Sequence, residues 1–252
     1  MSAEEARTEP HSTRQPTCRN CSQPLAPNQK FCGICGQEAT TGRLTLHDIA
    51  HDFLHAFIHV DTSVVALVRA LITQPGYVAR DFVEGKRKRH FGPFAFLVIA
   101  VGIATSLTLL LDSPWFQIVG QNELATFLQK HINLLFLVQT PILASFCWLL
   151  FRGARLFFAE HLILAIYTSG MRLLAAGLIA APILHFTHAN PSSFKFLAAY
   201  LGLWISYFGF AAAQFYPGKK IRGFVGGLIA ATLTQFTSFA IVSVVVTLYM
   251  RR

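Results

Sequence analysis

A mainly α-helical, multi-pass membrane bundle of about five spans is the fold this sequence predicts, preceded by a small zinc ribbon and amphipathic juxtamembrane helices. Three observations predict it. Of 252 residues, 53% are hydrophobic and only 13% charged, against about 25% charged in an ordinary soluble domain. The imbalance is uneven: Met1 to His90 reads as soluble sequence, and Phe91 to Met250 as sequence that faces lipid. No soluble core of this size hides so much apolar surface. Finally, four of the five cysteines form two C-x-x-C pairs near the N-terminus.

Residues 1–17 are polar, contain Pro10 and Pro16, and read as a disordered lead-in. The opening Met-Ser-Ala-Glu-Glu-Ala-Arg lacks the apolar region of a signal peptide, so the first transmembrane helix is expected to drive insertion. Residues 18–40 read as the zinc ribbon, with Cys18, Cys21, Cys32 and Cys35 as ligands and ten residues between the pairs. Each C-x-x-C makes a tight knuckle with both sulfurs on one side, and two facing knuckles form the tetrahedral thiolate cage that Zn2+ favours. Four thiolates leave no open position for water, which makes the zinc structural, and in so small a domain metal binding supplies the folding free energy.

Other uses of these cysteines fit less well. A disulfide framework needs an oxidising compartment, a thioredoxin-like motif needs a βαβ context, and a four-thiolate iron site remains chemically open. Gln23 to Phe31 suits a β-hairpin linker. Leu25, Phe31 and Ile34 are the large apolar side chains on hand to cover the site. Cys147, inside an apolar run, reads as a buried small hydrophobe.

Residues 43–91 form the juxtamembrane region. Arg43 to His59 has helical period, with Leu46, Ile49, Ala50, Phe53 and Phe57 on one face. His47, His51, His55 and His59 line the other face one turn apart. They are candidates for a second metal or pH-sensing site, or serve simply as polar residues of an interfacial helix. A second helix is expected over Ser63 to Thr73, capped by Asp61 or Thr62 and broken at Gln74-Pro75-Gly76. A third spans Tyr77 to Glu84. The basic run Lys86, Arg87, Lys88 and Arg89 then reads as a lipid and topology anchor.

Residues 92–252 are the transmembrane domain. Spans are expected at Pro93 to Leu111, Ile132 to Phe151, Leu162 to Thr187, Phe194 to Tyr216 and Phe224 to Met250, each near the roughly 20 residues a bilayer requires. Positive charge collects before the first span, at Arg152 and Arg155, and at Lys219, Lys220 and Arg222. The opposite loops have Lys130 and Lys195. This places the N-terminus and ribbon in the cytosol and the C-terminus outside, although Arg251 and Arg252 pull the other way. The net charge of +9 then points to a bilayer with anionic headgroups as partner rather than to nucleic acid.

Within the spans, Arg172, Gln139 and Gln235 are the polar candidates, because an intramembrane charge is expensive and marks function. Pro141 is expected to kink its span. Thr232, Thr234, Thr237 and Ser238 could bond neighbouring helices, and Gly223 and Gly227 form a GxxxG near a helix end. No G-x-S-x-G, H-E-x-x-H or P-loop is present, so the sequence leans away from an enzyme.

The order Cys18-x2-Cys21, Phe31-Cys32-x2-Cys35-Gly36-Gln37, His59-Val60-Asp61-Thr62, Gln74-Pro75-Gly76, Gly85-Lys86-Arg87-Lys88-Arg89 and Pro93 resembles a bacterial family of uncharacterised multi-pass membrane proteins. The Glu160-His161 pair is similar to a recurrent feature there, whereas Arg172 matches none. The resemblance implies this architecture and a bacterial inner membrane, and no reaction.

Two functional readings follow. In the first, the ribbon and histidine helix recruit a cytosolic protein partner and the bundle anchors the assembly. In the second, a small transporter or channel uses Arg172, Gln139 and the polar face of the last span. An enzyme using Glu160 and His161 is a distant third, since an acid–histidine pair is common at helix ends.

Overall fold

The computed structural model describes residues 16–39, 63–111, 132–190 and 193–250. The expected helix with His47, His51, His55 and His59, the capping candidates Asp61 and Thr62, most of the lead-in, Lys130 and the terminal arginines lie outside the described residues.

Around the cysteines the chain forms two knuckles that repeat with the Cys18-to-Cys32 spacing. Cys18 N–H donates to Gln23 O at 2.8 Å and Cys32 N–H to Gln37 O at 2.7 Å. Ser22 N–H donates to Cys18 O, and Gly36 N–H to Cys32 O. The residue after each second cysteine turns left-handed, Ser22 at φ 61° and Gly36 at φ 67°, and glycine meets that demand at no steric cost. Isolated antiparallel bridges pair Thr17 with Pro24 and Phe31 with Glu38. The β pairing therefore brackets each knuckle instead of forming the expected hairpin between them, because the i-to-i+4 turn at each C-x-x-C brings its own flanks together.

The helices follow in order: α1 (Ser63–Thr73), α2 (Pro75–Val83), α3 (Pro93–Leu110), α4 (Ile132–Leu150), α5 (Phe158–Ala175), a π turn (Ala176–Ala180), α6 (Ala181–Thr187), α7 (Phe194–Phe215) and α8 (Lys220–Met250). Among the described residues, four helices are long and apolar enough to cross a membrane: α3, the α5–α6 rod, α7 and α8. The expected span at α4 is also apolar but counts as shorter over its described part, Phe136–Leu150. The α5–α6 rod is the centre of the bundle. It is 72% buried over its most apolar stretch, against 39%, 28% and 22% for α3, α7 and α8, whose outer faces are left to hydrocarbon.

α1 and α2 are no loose interfacial helices. Leu67, Leu71, Val78, Ala79 and Phe82 join one apolar core that runs on to Ala230 and Ala231. Tyrosine hydroxyls tie the same region down: Tyr207 donates to Leu71 O at 2.9 Å and Tyr167 to Phe91 O at 2.8 Å.

The Gln74-Pro75-Gly76 breaker is narrower than expected, since α2 begins at Pro75 itself. Proline suits the first turn, where its missing N–H had no intrahelical partner. Gly76 serves proximity rather than bending: a Cβ there would lie 2.1 Å from Ala211 O and 2.6 Å from Phe215 N. The Gly76 N–H donates to Gln214 Oε1 at 3.0 Å, and Arg80 donates to Phe215 O through Nε at 3.0 Å and through Nη2.

Small residues also set the α7–α8 contact. A Cβ on Gly223 would meet Ala213 Cα at 2.8 Å, and one on Gly227 would meet Gly209 Cα at 2.9 Å. The GxxxG near the start of α8 is thus the seam of a close helix pair.

The basic run folds back on α2. Lys86 Nζ lies 2.6 Å from Asp81 Oδ1, and Arg89 and His90 lie 3.3 and 3.4 Å from Oδ2. Desolvation would raise the Asp81 carboxyl, but the hydrogen bonds from Lys86 and His90 and the charges of Lys86 and Arg89 outweigh it and hold it below its usual range. Burial in turn pushes the His90 imidazole down, against the pull of Asp81.

Candidate functional site

Two clusters of chemically capable side chains stand out. At the knuckles, Cys18, Cys21, Cys32 and Cys35 bring their sulfurs within 4.8 Å of one another. The pairs Cys18–Cys35 and Cys21–Cys32 are each 3.6 Å apart. A tetrahedron with Zn–S bonds of about 2.3 Å has edges of about 3.8 Å, so the cage fits a four-coordinate ion.

The environment splits the thiols. The Asn20 side chain and the Gln37 N–H pull Cys35 down to about 6, and the amides of Cys35 and Ile34 lower Cys32. Cys21 also receives a lowering bond from the Gln23 amide, yet desolvation and the three neighbouring sulfurs push it up to about 12. Four adjacent thiols cannot all ionise without a compensating cation. The donor set therefore fits a metal.

Cover over the cage differs from expectation. Leu25 is buried beside Cys18 and Cys32, but Phe31 and Ile34 are 60% and 76% exposed. Ile34 occupies the tip of a C-x-x-C turn, where the two cysteines point inward and the residues between them must point out. Gln37 is buried and accepts a hydrogen bond from Lys88 N–H at 3.1 Å through Oε1, joining the second knuckle to the basic run. Asn20 was not singled out from sequence, and Gln37 entered only as part of the family-like motif, although the repeat of C-x-x-C followed by Ser or Gly and then Gln marks it.

In the bundle, the three polar residues picked out from sequence converge. Arg172 is 7% exposed. It donates through Nη1 to Gln139 Oε1 at 3.1 Å and Gln235 Oε1 at 2.8 Å, and through Nε to the Tyr200 hydroxyl at 3.0 Å. Its guanidinium carbon lies 4.6, 4.9 and 5.3 Å from the ring centres of Phe136, Trp204 and Tyr200, within cation–π range.

These helices are brought together by α5: α4 and α3 flank it, and α8 packs on both α4 and α7. Arg172 thus faces the interior and does not snorkel. Among the described residues no carboxylate pairs with it. A central arginine costs about 2.5–3.5 kcal/mol even on the gentlest insertion scale, and among the described residues it is neutral amides and rings that offset the charge.

Arg172, Gln139 and Gln235 line a pocket walled otherwise by apolar side chains such as Ile142, Leu201 and Phe239. Four residues beyond Arg172 the helix widens into the π turn, which seats Gly177 with its would-be Cβ 2.7 Å from Ala104 Cα in α3. Such turns recur at functional sites. Sequence reading missed Tyr200 and Trp204. They sit one turn apart on α7, but an aromatic pair there reads equally as an interfacial belt.

Several other polar residues serve their own helices. Thr234 donates to Ala230 O and Ser238 to Thr234 O, both at 2.8 Å, so of the expected interhelical bonds from α8 it is Gln235 that makes one. A hydroxyl one turn above a carbonyl finds that acceptor first. Glu160 reaches back to accept from Phe157 N–H at 2.7 Å. His161 Nδ1 lies 2.7 Å from the Tyr216 hydroxyl.

Residues 68–105 match the family model described as a protein of unknown function (DUF3667). The matched part covers the second half of α1, α2, the basic run and most of α3, and so overlaps only the C-terminal part of residues 18–93, over which the resemblance is most specific. The chain is similar to an uncharacterised family there, and the likeness carries no activity. No curated protein and no solved structure matched the chain.

Proposed function

We propose that this membrane protein binds a small anionic ligand inside its helical bundle, as a transporter or receptor does, with the knuckles held by a structural zinc ion on the cytosolic side of a bacterial inner membrane. The carrying observation is Arg172: a buried cation, fixed by two amides and a phenol, that meets no carboxylate among the described residues and lines a pocket. Proteins keep such expensive charges in membranes for ligands, ions or protons.

The charge distribution supports the orientation. Arg152, Arg155, Lys219, Lys220 and the basic run belong to the bundle end where α2 meets α7 and Phe151 stacks on Tyr216 at 3.6 Å. That end collects the positive charge typical of the cytoplasmic face.

The expected outcome is a ligand-dependent rise in thermal stability of the detergent-solubilised protein across a panel of carboxylates and phosphates. An anion at a hundred times its dissociation constant should add about 2.7 kcal/mol. Cys32→Ser should keep the response and Arg172→Leu should lose it. A response that persists in Arg172→Leu would overturn the reading.

The exposed Phe31 and Ile34 favour a second reading, in which the knuckles dock a cytosolic protein partner. Here a partner retained from membranes should be released by chelator and by Ile34→Glu, yet stay bound to Arg172→Leu.

A further inference from the structure

We infer that the ligand of the Arg172 pocket is an amphipathic monocarboxylate: one carboxylate that meets the guanidinium, and one apolar body that fills the pocket walls. The inference rests on the anion-binding reading and narrows it to a class of molecule.

The polar end of the pocket is rich in donors, with the hydroxyls of Tyr200 and Ser238 beside them. Both Nη1 hydrogens of Arg172 are taken by the oxygens of Gln139 and Gln235, and its Nε–H by Tyr200. Because arginine only donates, it turns both amide oxygens toward itself and leaves their NH2 groups facing elsewhere. Among the described residues, Arg172 Nη2 and the amide nitrogens of Gln139 and Gln235 make no hydrogen bond. All three residues line the pocket, and two of them, Arg172 and Gln235, are more than nine-tenths buried. Among the described residues no acceptor reaches these three donors, and an acceptor-only group in the pocket would complete them.

The charge count limits that group. One guanidinium in a low-dielectric site neutralises one negative charge. A dianionic phosphate would leave a second charge uncompensated in a low-dielectric site, which is costly. A carboxylate carries a single charge and only accepts.

The walls define the rest of the molecule. Away from the donors the pocket is lined by Val138, Ile142, Leu201, Phe239 and Val242, which offer nothing to a small hydrated anion and much to an alkyl or aryl body. Its depth sets the side of entry. Gln139 and Tyr200 lie seven and six residues from the starts of α4 and α7, roughly 10 Å at 1.5 Å per residue. Arg172 lies fourteen residues from the start of the antiparallel α5, roughly 21 Å. From there the lining runs along α8 from Gln235 to Val242, away from the knuckle end. The acid therefore enters from the half of the membrane opposite the cysteines.

Trp204 reports on the site, since its ring centre is 4.9 Å from the Arg172 guanidinium carbon. The test uses the full chain in nanodiscs, with Trp115 and Trp148 replaced by Phe, and reads quenching of Trp204 by omega-bromooctanoate. Quenching should saturate, acetate should fail to displace the probe, omega-bromooctanol should not compete, and Arg172→Gln should weaken binding at least tenfold. Binding that Arg172→Gln leaves unchanged overturns both this inference and the anion site. Equal binding of the alcohol does the same without any variant, so the test survives a misfolded Arg172→Gln. Displacement by acetate at concentrations similar to the probe's leaves the anion site standing and removes the apolar body. Tighter binding of octyl phosphate leaves the site standing and removes the monocarboxylate.

Discussion

Replacing Cys32 by Ser is expected to strip the zinc from the purified protein, read as zero rather than one equivalent by elemental analysis, while Cys147→Ser keeps it. Structural zinc in small domains supplies on the order of 10–16 kcal/mol. The apolar content of the knuckles is Leu25 and the cysteines themselves, far too little to replace that sum. Losing one of four thiolates opens the shell and leaves a site that cannot compete with a chelator. The damage should stay local. The knuckle cluster and the bundle core are separate, and the described polar link between them is the Gln37–Lys88 hydrogen bond. Far-UV circular dichroism should therefore keep its helical signal. Full metal content in Cys32→Ser would refute the ligand assignment.

Gly76→Ala should destabilise the bundle by about 3 kcal/mol, the upper part of the range for overpacking. Helix propensity alone predicts the opposite sign, a gain of about 1 kcal/mol. Packing wins because the added methyl group would sit 2.1 Å from a backbone oxygen of α7 and 2.5 Å from Gln214 Cβ, and backbone cannot swing aside as a side-chain tip does. Moving α2 outward would also loosen the bond from Gly76 N–H to Gln214 and those from Arg80 to Phe215 O. Gly102→Ala, with nothing within 4 Å of its Cβ, is the control and should be neutral or slightly stabilising. Unfolding curves in the same detergent compare the two; a neutral Gly76→Ala would show that α2 does not press on α7.

These contrasts show what could be read from the chain alone. The cysteine cage was legible because its information is local: two C-x-x-C turns need only their own backbones to aim four sulfurs inward. Phe31 and Ile34 were misjudged as cover, since a tally of apolar residues does not say which way a turn points them. Gln74-Pro75-Gly76 was legible as a boundary, but the role of Gly76 was not, because its reason lies on α7, well over a hundred residues away. The polar residues of α8 divided for the same cause. A hydroxyl always has its own helix to bond, whereas an amide on a longer stem, as in Gln235, reaches across only when a donor is opposite.

By itself the sequence determined the solvent of each part of the molecule and the chemistry on offer: hydrocarbon around long apolar helices, a thiolate cage before them, and a few intramembrane groups too expensive to be incidental. Composition and periodicity suffice for that, because solvation energies add up residue by residue. Only the tertiary structure decided that Arg172, Gln139 and Gln235 come together and line one pocket. Convergence depends on which helices pack and at what depth, and those are set by shape complementarity at small residues such as Gly76, Gly177 and Gly227, whose effect appears only when the partner helix is in place.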